Sequence, residues 1–397
     1  MFKRQMEDEL RAAADRMPVV MLTGPRQSGK TTLVRHVFPD HDYVSLERPD
    51  ERSRAMSDPL GFLARFRRGV ILDEVQRAPE LLSYIQVDVD QEDLPGRFIL
   101  TGSQNLLLME SVSQTLAGRT AVLRLLPLSL AELFGREPLR PERLDEATEV
   151  GEPPAREMWP TLWAGFYPRI HDRSLPPDSW LADYRRTYLE RDLRDVLRVM
   201  DIDAFDRFMR LAAARTAQEL NLTSLADDAG ISQPTAKQWL TVLRVGYIVT
   251  LIPPHHENFR KRLRKRPKLH FLDTGLCCNL LGITNAQILE NHPLRGSIFE
   301  SFVASEIIKS FENSGRQAPL FHWRDASGHE IDLLLAFGDR LLPVEVKSGI
   351  TVRSDSLNNL LWWLDLEKNP NTSGTLIHGG SQGYGFRGMT VRPWFLS

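Results

Sequence analysis

The chain has almost no cysteine: Cys277 and Cys278 are the only two in 397 residues. Sequence neighbours close a disulfide only with strain, so no disulfide framework is possible. The pair reads as two buried thiols of a reducing compartment. Long apolar runs are missing too, and no stretch approaches the roughly 20 residues of a membrane span. The N-terminal "MFKRQMEDELRAAADRMP" is charged and helical in pattern, without a signal-type apolar run. These absences lead us to expect a soluble, cytoplasmic protein with no membrane partner. An excess of one charge is also lacking. The formal net charge is −2, so any nucleic-acid binding must come from local patches. Repeats and low-complexity tracts do not occur. What remains is ordinary globular composition, 42% hydrophobic and 26% charged, at a length suited to two or three domains.

The first third alternates strand and helix. "VVMLT", "YVSLE", "GVILDE", "GRFILTGS" and "TAVLRLL" are short apolar runs without clean alternation, as expected of parallel strands buried on both faces. A doubly wound α/β domain ending near Phe134 follows. Between the first run and a helix lies "GPRQSGKT", Gly24 to Thr31, which fits G-x-x-x-x-G-K-[ST] at every fixed position. Gly24 and Gly29 let the backbone curl so that N–H groups face phosphate oxygens, and the helix N-terminus adds its positive dipole end. The expected ATP contacts are Gly24, Pro25, Arg26, Gln27, Ser28, Gly29, Lys30, Thr31 and Thr32. Lys30 reaches the β- and γ-phosphates, and the Thr31 hydroxyl ligates Mg²⁺. Asp73, ending "GVILD", can hold Mg²⁺ through water, and Glu74 can polarise the attacking water. Ser103 or Gln104, after the strand "FILTG", would touch the γ-phosphate or that water. Arg119, in "LAGRT", would neutralise charge developing on the γ-phosphate, in cis or from a neighbouring subunit. Action in trans requires a homo-oligomer.

Residues 135–157 are polar and proline-rich, as a linker or long loop would be. Helical periodicity runs from Trp180 through Arg215. Next, "SLADDAG" reads as a short helix stopped by Gly230, and "ISQPTAKQWLTVLRVGY" as a second, with Ser232 as N-cap and Pro234 in its first turn. With the β-branched run "YIVTLI" behind them, they form a helix-turn-helix and wing strand. Gln233, Thr235, Lys237 and Gln238 would face DNA bases, or a protein partner. Close behind lies "RKRLRKRPK", Arg260 to Lys268, with seven basic residues in nine positions. It is the sharpest local patch and a candidate for DNA phosphate contacts.

"EIDLLLAFGDRLLPVEVKSG", Glu330 to Gly349, places two apolar runs around Gly338-Asp339, the mark of a tight hairpin. Phe337 then faces Arg340, and Asp332 falls opposite Glu345, where like charges are unfavourable. A divalent cation between these carboxylates explains the pair. Lys347 shares the face of Glu345 and would position a cation-bound water or stabilise developing charge. A third acid is expected on the helix "SIFESFVASEIIKSF": Glu300 first, Glu306 as runner-up. The plain alternative is a charged sheet face in which Glu330, opposite Lys347, pairs with it.

Taken together, "GPRQSGKTTL", "ILDEVQRAPELL", "ILTGSQNLLL", "LAGR", "YLERDLRDV", "GISQPTAKQWL", "RPKLHFLDTGL", "FESFVASEI" and "EIDLLL…PVEVKSG" resemble a widespread prokaryotic family. Its members join an AAA-type P-loop ATPase to a C-terminal region of unknown function. The resemblance implies an ASCE-type ATPase with Lys30, Thr31, Asp73 and Glu74 in the roles given above. It also implies a winged-helix middle and a restriction-endonuclease-like C-terminal domain. The PD-(D/E)XK core of that domain is matched by Asp332, Glu345 and Lys347, with Glu300 on its first helix. The expected organisation is a P-loop ATPase over 1–134 and a linker with a helical segment over 135–205. A winged helix-turn-helix over 206–285 and a nuclease-like α/β domain over 286–397 complete it. The expected function is ATP hydrolysis coupled to action on DNA, with ATP and Mg²⁺ as cofactors. The alternative is a nucleotide-dependent regulatory module that binds partners without cleavage.

Overall fold

The computed structural model describes residues 2–102, 115–146, 151–197, 201–255, 266–325, 327–366 and 373–396, with the backbone alone at 188–197 and 354. Ser103, Gln104 and the basic residues Arg260 to Lys265 therefore lie outside the described residues. The chain divides into two compact units. The first comprises Met1–Leu128 with Val245–Tyr247 and Phe311–Arg316; the second comprises Ser129–Arg244, Ile248–Ser310 and Gln317–Ser397.

In the first unit the order is α1 (Glu7–Arg16), β1 (Val19–Thr23), α2 (Lys30–Val37), β2 (Asp42–Ser45), α3 (Pro49–Ser57) and α4 (Pro59–Ala64). There follow β3 (Val70–Asp73), α5 (Leu81–Gln91), β4 (Phe98–Thr101) and β5 (Thr120–Arg124). The strands form one parallel sheet in the order β2-β3-β4-β1-β5. Burial on both faces explains the unbroken apolar runs of β1, β3 and β4; the edge strands β2 and β5 are instead largely exposed or half-buried, contrary to the expectation from sequence. Val19, Met21, Leu72 and Leu100 pack with Phe62, Leu82 and Ile85. Val20, Leu22, Ile71 and Ile99 pack instead with Leu10, Ala13, Leu33 and Val34. Each such side chain contributes about 1.5–3 kcal/mol on burial.

The second unit opens with α6 (Leu130–Phe134), whose capping box joins Ser129 and Glu132. The polar segment after it is not a free tether. Arg392 donates from Nε to the Leu144 carbonyl at 2.7 Å, and Thr390 Oγ1 donates to the Asp145 carbonyl at 2.7 Å. These bonds strap the segment to the C-terminal sheet. Next come α7 (Pro177–Leu197), α8 (Ile202–Ala213), β6 (Gln218–Glu219), α9 (Leu222–Ala229), α10 (Gln233–Val245), β7 (Val249–Ile252) and β8 (Lys268–Phe271). Gly230 ends α9 at φ 69°, and Ser232 Oγ accepts from the Thr235 amide at 3.3 Å. Strands β6, β8 and β7 form a small antiparallel sheet. Trp239 of α10 meets Phe205 and Phe208 of α8 edge-on, at 5.1 and 5.5 Å between centroids.

The C-terminal part contains, among other elements, α11 (Arg295–Asn313), β9 (Leu320–Arg324), β10 (Glu330–Phe337), β11 (Arg340–Lys347), α12 (Asn358–Leu364), β12 (Gly374–His378), β13 (Tyr384–Phe386) and β14 (Met389–Pro393). Their six strands form a mixed sheet, β13-β14-β12-β11-β10-β9. The hairpin has the expected register, with Phe337 opposite Arg340 and Leu333 opposite Val344, and Gly338 turns at φ 64°. Among the described residues no helix is long and apolar enough to cross a membrane.

Trp239→Ala removes the ring that joins α10 to α8. We expect a loss of about 3–5 kcal/mol in the second unit, read as a lower urea midpoint by tryptophan-independent far-UV circular dichroism.

Candidate functional site

The first candidate site forms where β1 and β3 end. After Thr23 the chain turns at Gly24 (φ 149°), Gln27 (φ 64°) and Gly29 (φ 96°), then enters α2 at Lys30. A Cβ on Gly24 would lie 2.2 Å from the Leu125 carbonyl oxygen, so only glycine fits. Lys30 is buried, and its Nζ donates to the Gly24 and Pro25 carbonyls at 3.0 and 2.8 Å. The ammonium thus stands inside the loop it serves. Ser28 Oγ is buried with no hydrogen-bond partner. An unpaired buried hydroxyl, a tight glycine cradle and an enclosed ammonium fit a polyphosphate.

Thr31 Oγ1 donates to both carboxylate oxygens of Asp73, at 3.1 and 3.2 Å. The two residues expected at Mg²⁺ are therefore side by side. Two further hydroxyls reach Asp73. Tyr43 donates at 2.8 Å from the neighbouring strand β2, and Thr101 donates from the end of β4. Burial and the bond to Asp73 push the Tyr43 phenol up to about 12. Glu74 follows in the left-handed region at φ 59°, and its carboxylate accepts from Gln76 Nε2. At the other side of the loop, Tyr247 Oη lies 3.0 Å from Thr23 Oγ1. Tyr43, Thr101 and Tyr247 escaped sequence reasoning. Thr101 carried a signal as the last residue of an apolar strand, but the two tyrosines carried none.

Arg119 stands elsewhere. Its backbone pairs with Val19, at the start of β1, whereas the loop follows the end of that strand. Four residues of strand, about 13 Å, separate the two ends, and the guanidinium is tied to Asp90 at 3.0 Å. Arg119 does not face the loop of its own chain.

The second candidate site lies on the hairpin of the mixed sheet. Asp332 accepts the Val346 amide at 2.9 Å. Lys347 Nζ bonds Glu345 and lies 3.7 Å from Asp332. Glu345 Oε2 is buried without a partner. Burial and the charge of Asp332 push the Glu345 carboxyl up to about 8. Burial and Asp332 likewise push Glu300, on α11, up to about 8. Two expectations need correction here. Lys268 is not a surface phosphate contact but a buried cation, bonded to Glu300 at 3.0 Å and to Glu330 at 2.6 Å. Burial disfavours its charge, yet Glu300, Asp332 and Glu330 outweigh that and raise its pKa. Glu330 therefore pairs with Lys268 and not with Lys347. The cause is β8, which delivers a lysine to the acids from outside the hairpin. Glu306, the runner-up acid, is remote: its carboxylate takes the Leu130 amide and Lys309. Among the described residues no group of three or more His, Cys, Asp or Glu is disposed to hold a metal ion. The unpaired Glu345 oxygen fits a cation shared with Asp332, and Glu300 is occupied by Lys268.

Three family models match the chain: an AAA domain over residues 16–134, and two domains of unknown function, DUF8612 over 156–287 and DUF4143 over 295–395. Uncharacterized protein Rv2008c of Mycobacterium tuberculosis is 32% identical over 353 residues, which cover 88% of this chain and 74% of that protein. The chain belongs to the same family as Rv2008c. Uncharacterized protein Mb2031c of Mycobacterium bovis matches to the same extent. The AAA domain model makes residues 16–134 a P-loop AAA-type ATPase domain. Among solved structures, a Walker-type ATPase of Pyrococcus abyssi shares 15% identity at TM-score 0.42, covering 70% of this chain and 96% of that one. A signal-transduction ATPase with numerous domains from Pyrococcus horikoshii shares 12% at TM-score 0.22, covering 78% and 47%.

Gly24→Ala should weaken ATP binding at least tenfold while leaving the circular dichroism spectrum unchanged, because the new Cβ meets backbone. A second expectation concerns pH. A carboxyl raised from 4.5 to about 8 in the folded chain holds a proton that the unfolded chain has released. Glu345 thus lowers stability increasingly as pH rises from about 4.5 to 8. In the presence of EDTA, Glu345→Gln should show a smaller drop in urea midpoint between these pH values than the wild type.

Proposed function

We propose that the chain hydrolyses ATP and couples the cycle to DNA. The observation that carries the first half is the direct pairing of Thr31 with Asp73, beside a buried lysine and a glycine-built loop. In this reading the backbone N–H groups of the loop from Gly24 to Thr32, Pro25 excepted, hold the phosphates, and Lys30 leaves its loop carbonyls for the β- and γ-phosphate oxygens. Mg²⁺, when bound, neutralises phosphate charge; Thr31 and Asp73 would hold it. Tyr43 and Thr101 orient the Asp73 carboxylate. Glu74, steadied by Gln76, polarises the attacking water, a role worth about 10²–10⁴ in rate. Ser103 is the proposed γ-phosphate contact, and Arg119 acts across a subunit boundary in a homo-oligomer.

The DNA half rests on the second unit. Gln233, Lys237 and Gln238 are exposed at the start of α10, as base-reading residues must be. Helices α9 and α10 with β7 and β8 are read as a winged helix-turn-helix, and α11 with the hairpin as a PD-(D/E)XK nuclease-like core. Asp332 and Glu345 would hold a divalent cation there, and Lys347 would orient a water against the phosphodiester. One observation favours a second reading, a partner-binding module without cleavage: Lys268 neutralises Glu300, which leaves two carboxylates in place of three.

Three variants separate these readings. Glu74→Gln should bind ATP normally and hydrolyse it at least 100-fold more slowly, whereas Lys30→Ala should lose binding. Incubation with linear, single-stranded and four-way DNA plus Mg²⁺ should yield cleavage that Lys347→Ala abolishes. ATPase activity intact in Glu74→Gln contradicts the first half. Cleavage absent on every substrate leaves the partner-binding reading in its place.

A further inference from the structure

We infer that Arg4 is a positioning residue of the phosphate loop. The inference rests on reading Gly24 to Thr31 as that loop. Arg4 precedes α1 and lies outside the matched AAA domain, which begins at residue 16. Its side chain is nonetheless buried among the loop's backbone groups. One guanidinium nitrogen donates to the Ser28 carbonyl at 2.7 Å, and the other terminal nitrogen donates to the Leu126 carbonyl at 2.8 Å. The Arg4 amide donates to Glu7 Oε1 at 3.2 Å, which ties the segment to the first turn of α1.

The consequence follows from peptide planarity. The carbonyl of Ser28 and the N–H of Gly29 belong to one planar unit and point in opposite directions. A donor that captures the Ser28 carbonyl therefore turns the Gly29 N–H the other way. Without such a donor this peptide is easily reoriented, because glycine at φ 96° tolerates many conformations. A reversed peptide would aim a carbonyl oxygen at the phosphates. The second bond anchors the guanidinium to the segment after β5. Gly24, at the start of the loop, is pressed against the adjoining Leu125 carbonyl. Both ends of the loop are thus referred to one piece of backbone, the first by steric contact and the second through Arg4. Arginine suits this place because its planar fork offers two donors at fixed separation. Lysine can satisfy one carbonyl at a time.

The test uses the full chain with fluorescent ATP and ADP analogues, and compares the wild type with Arg4→Met and Arg4→Lys. Arg4→Met should raise the Kd for both nucleotides at least tenfold, while the turnover rate at saturating ATP stays within threefold. Arg4→Lys should fall between Arg4→Met and wild type, a graded rescue that mere loss of packing does not produce. Equal Kd values in all three proteins would overturn the inference, as would a fall in turnover at unchanged Kd. If Arg4→Met does not fold, Arg4→Lys decides alone, and an unchanged Kd there is the contrary result. A wild type that binds neither nucleotide would overturn the phosphate-loop reading itself and this inference with it.

Discussion

The first unit depends on a close contact between backbone and backbone. Gly24 lies against the Leu125 carbonyl so tightly that no side chain fits between them. That contact fixes where the chain leaves β1 and how sharply it turns. From there the rest is dictated by chain length and planarity: Lys30 opens α2, its ammonium folds back into the turn, and Thr31 arrives beside Asp73. The sheet order matters because it sets β4 between β1 and β3, so that Asp73 and Thr101 end at the level where the turn begins. Three apolar strands buried on both faces, β1, β3 and β4, hold those ends in register.

The acids on the mixed sheet pose the opposite problem. In the first unit the carboxylate of Asp73 is satisfied by three hydroxyls. At the hairpin, burial and the charge of Asp332 drive Glu345, and Glu300 of α11, toward the protonated form. Two lysines relieve this, Lys347 from the same strand and Lys268 from β8. An arrangement of this kind is costly to bury and gains little stability on its own. It is easier to understand as a site prepared for charge than as a means of holding the sheet together.

Much of this was legible in sequence, for definite reasons. The phosphate loop was readable because it is local: eight consecutive residues carry its conformational and chemical demands. The hairpin register followed from a period of two and one Gly-Asp pair, so Phe337 and Arg340 were matched correctly. Lys268 was misread because it ends a run of basic residues, and nothing in that run says that its last member turns inward to Glu300 and Glu330. Tyr43 and Tyr247 were invisible for the same reason: their partners are 30 and 224 residues away. The segment 135–157 read as a linker or long loop, and its attachment at Leu144 and Asp145 was hidden because backbone carbonyls, which Arg392 and Thr390 recognise, leave no trace in composition.

The central claim is that the backbone amides of the turn after β1 are the phosphate-binding groups. Hydrogen–deuterium exchange resolved to peptides over residues 24–32 tests it most directly. With Mg²⁺ and a non-hydrolysable ATP analogue, those amides should exchange markedly more slowly, and peptides containing Thr31 and Asp73 should respond together. Unchanged exchange over residues 24–32 at saturating nucleotide, or protection confined to another part of the chain, would contradict the account.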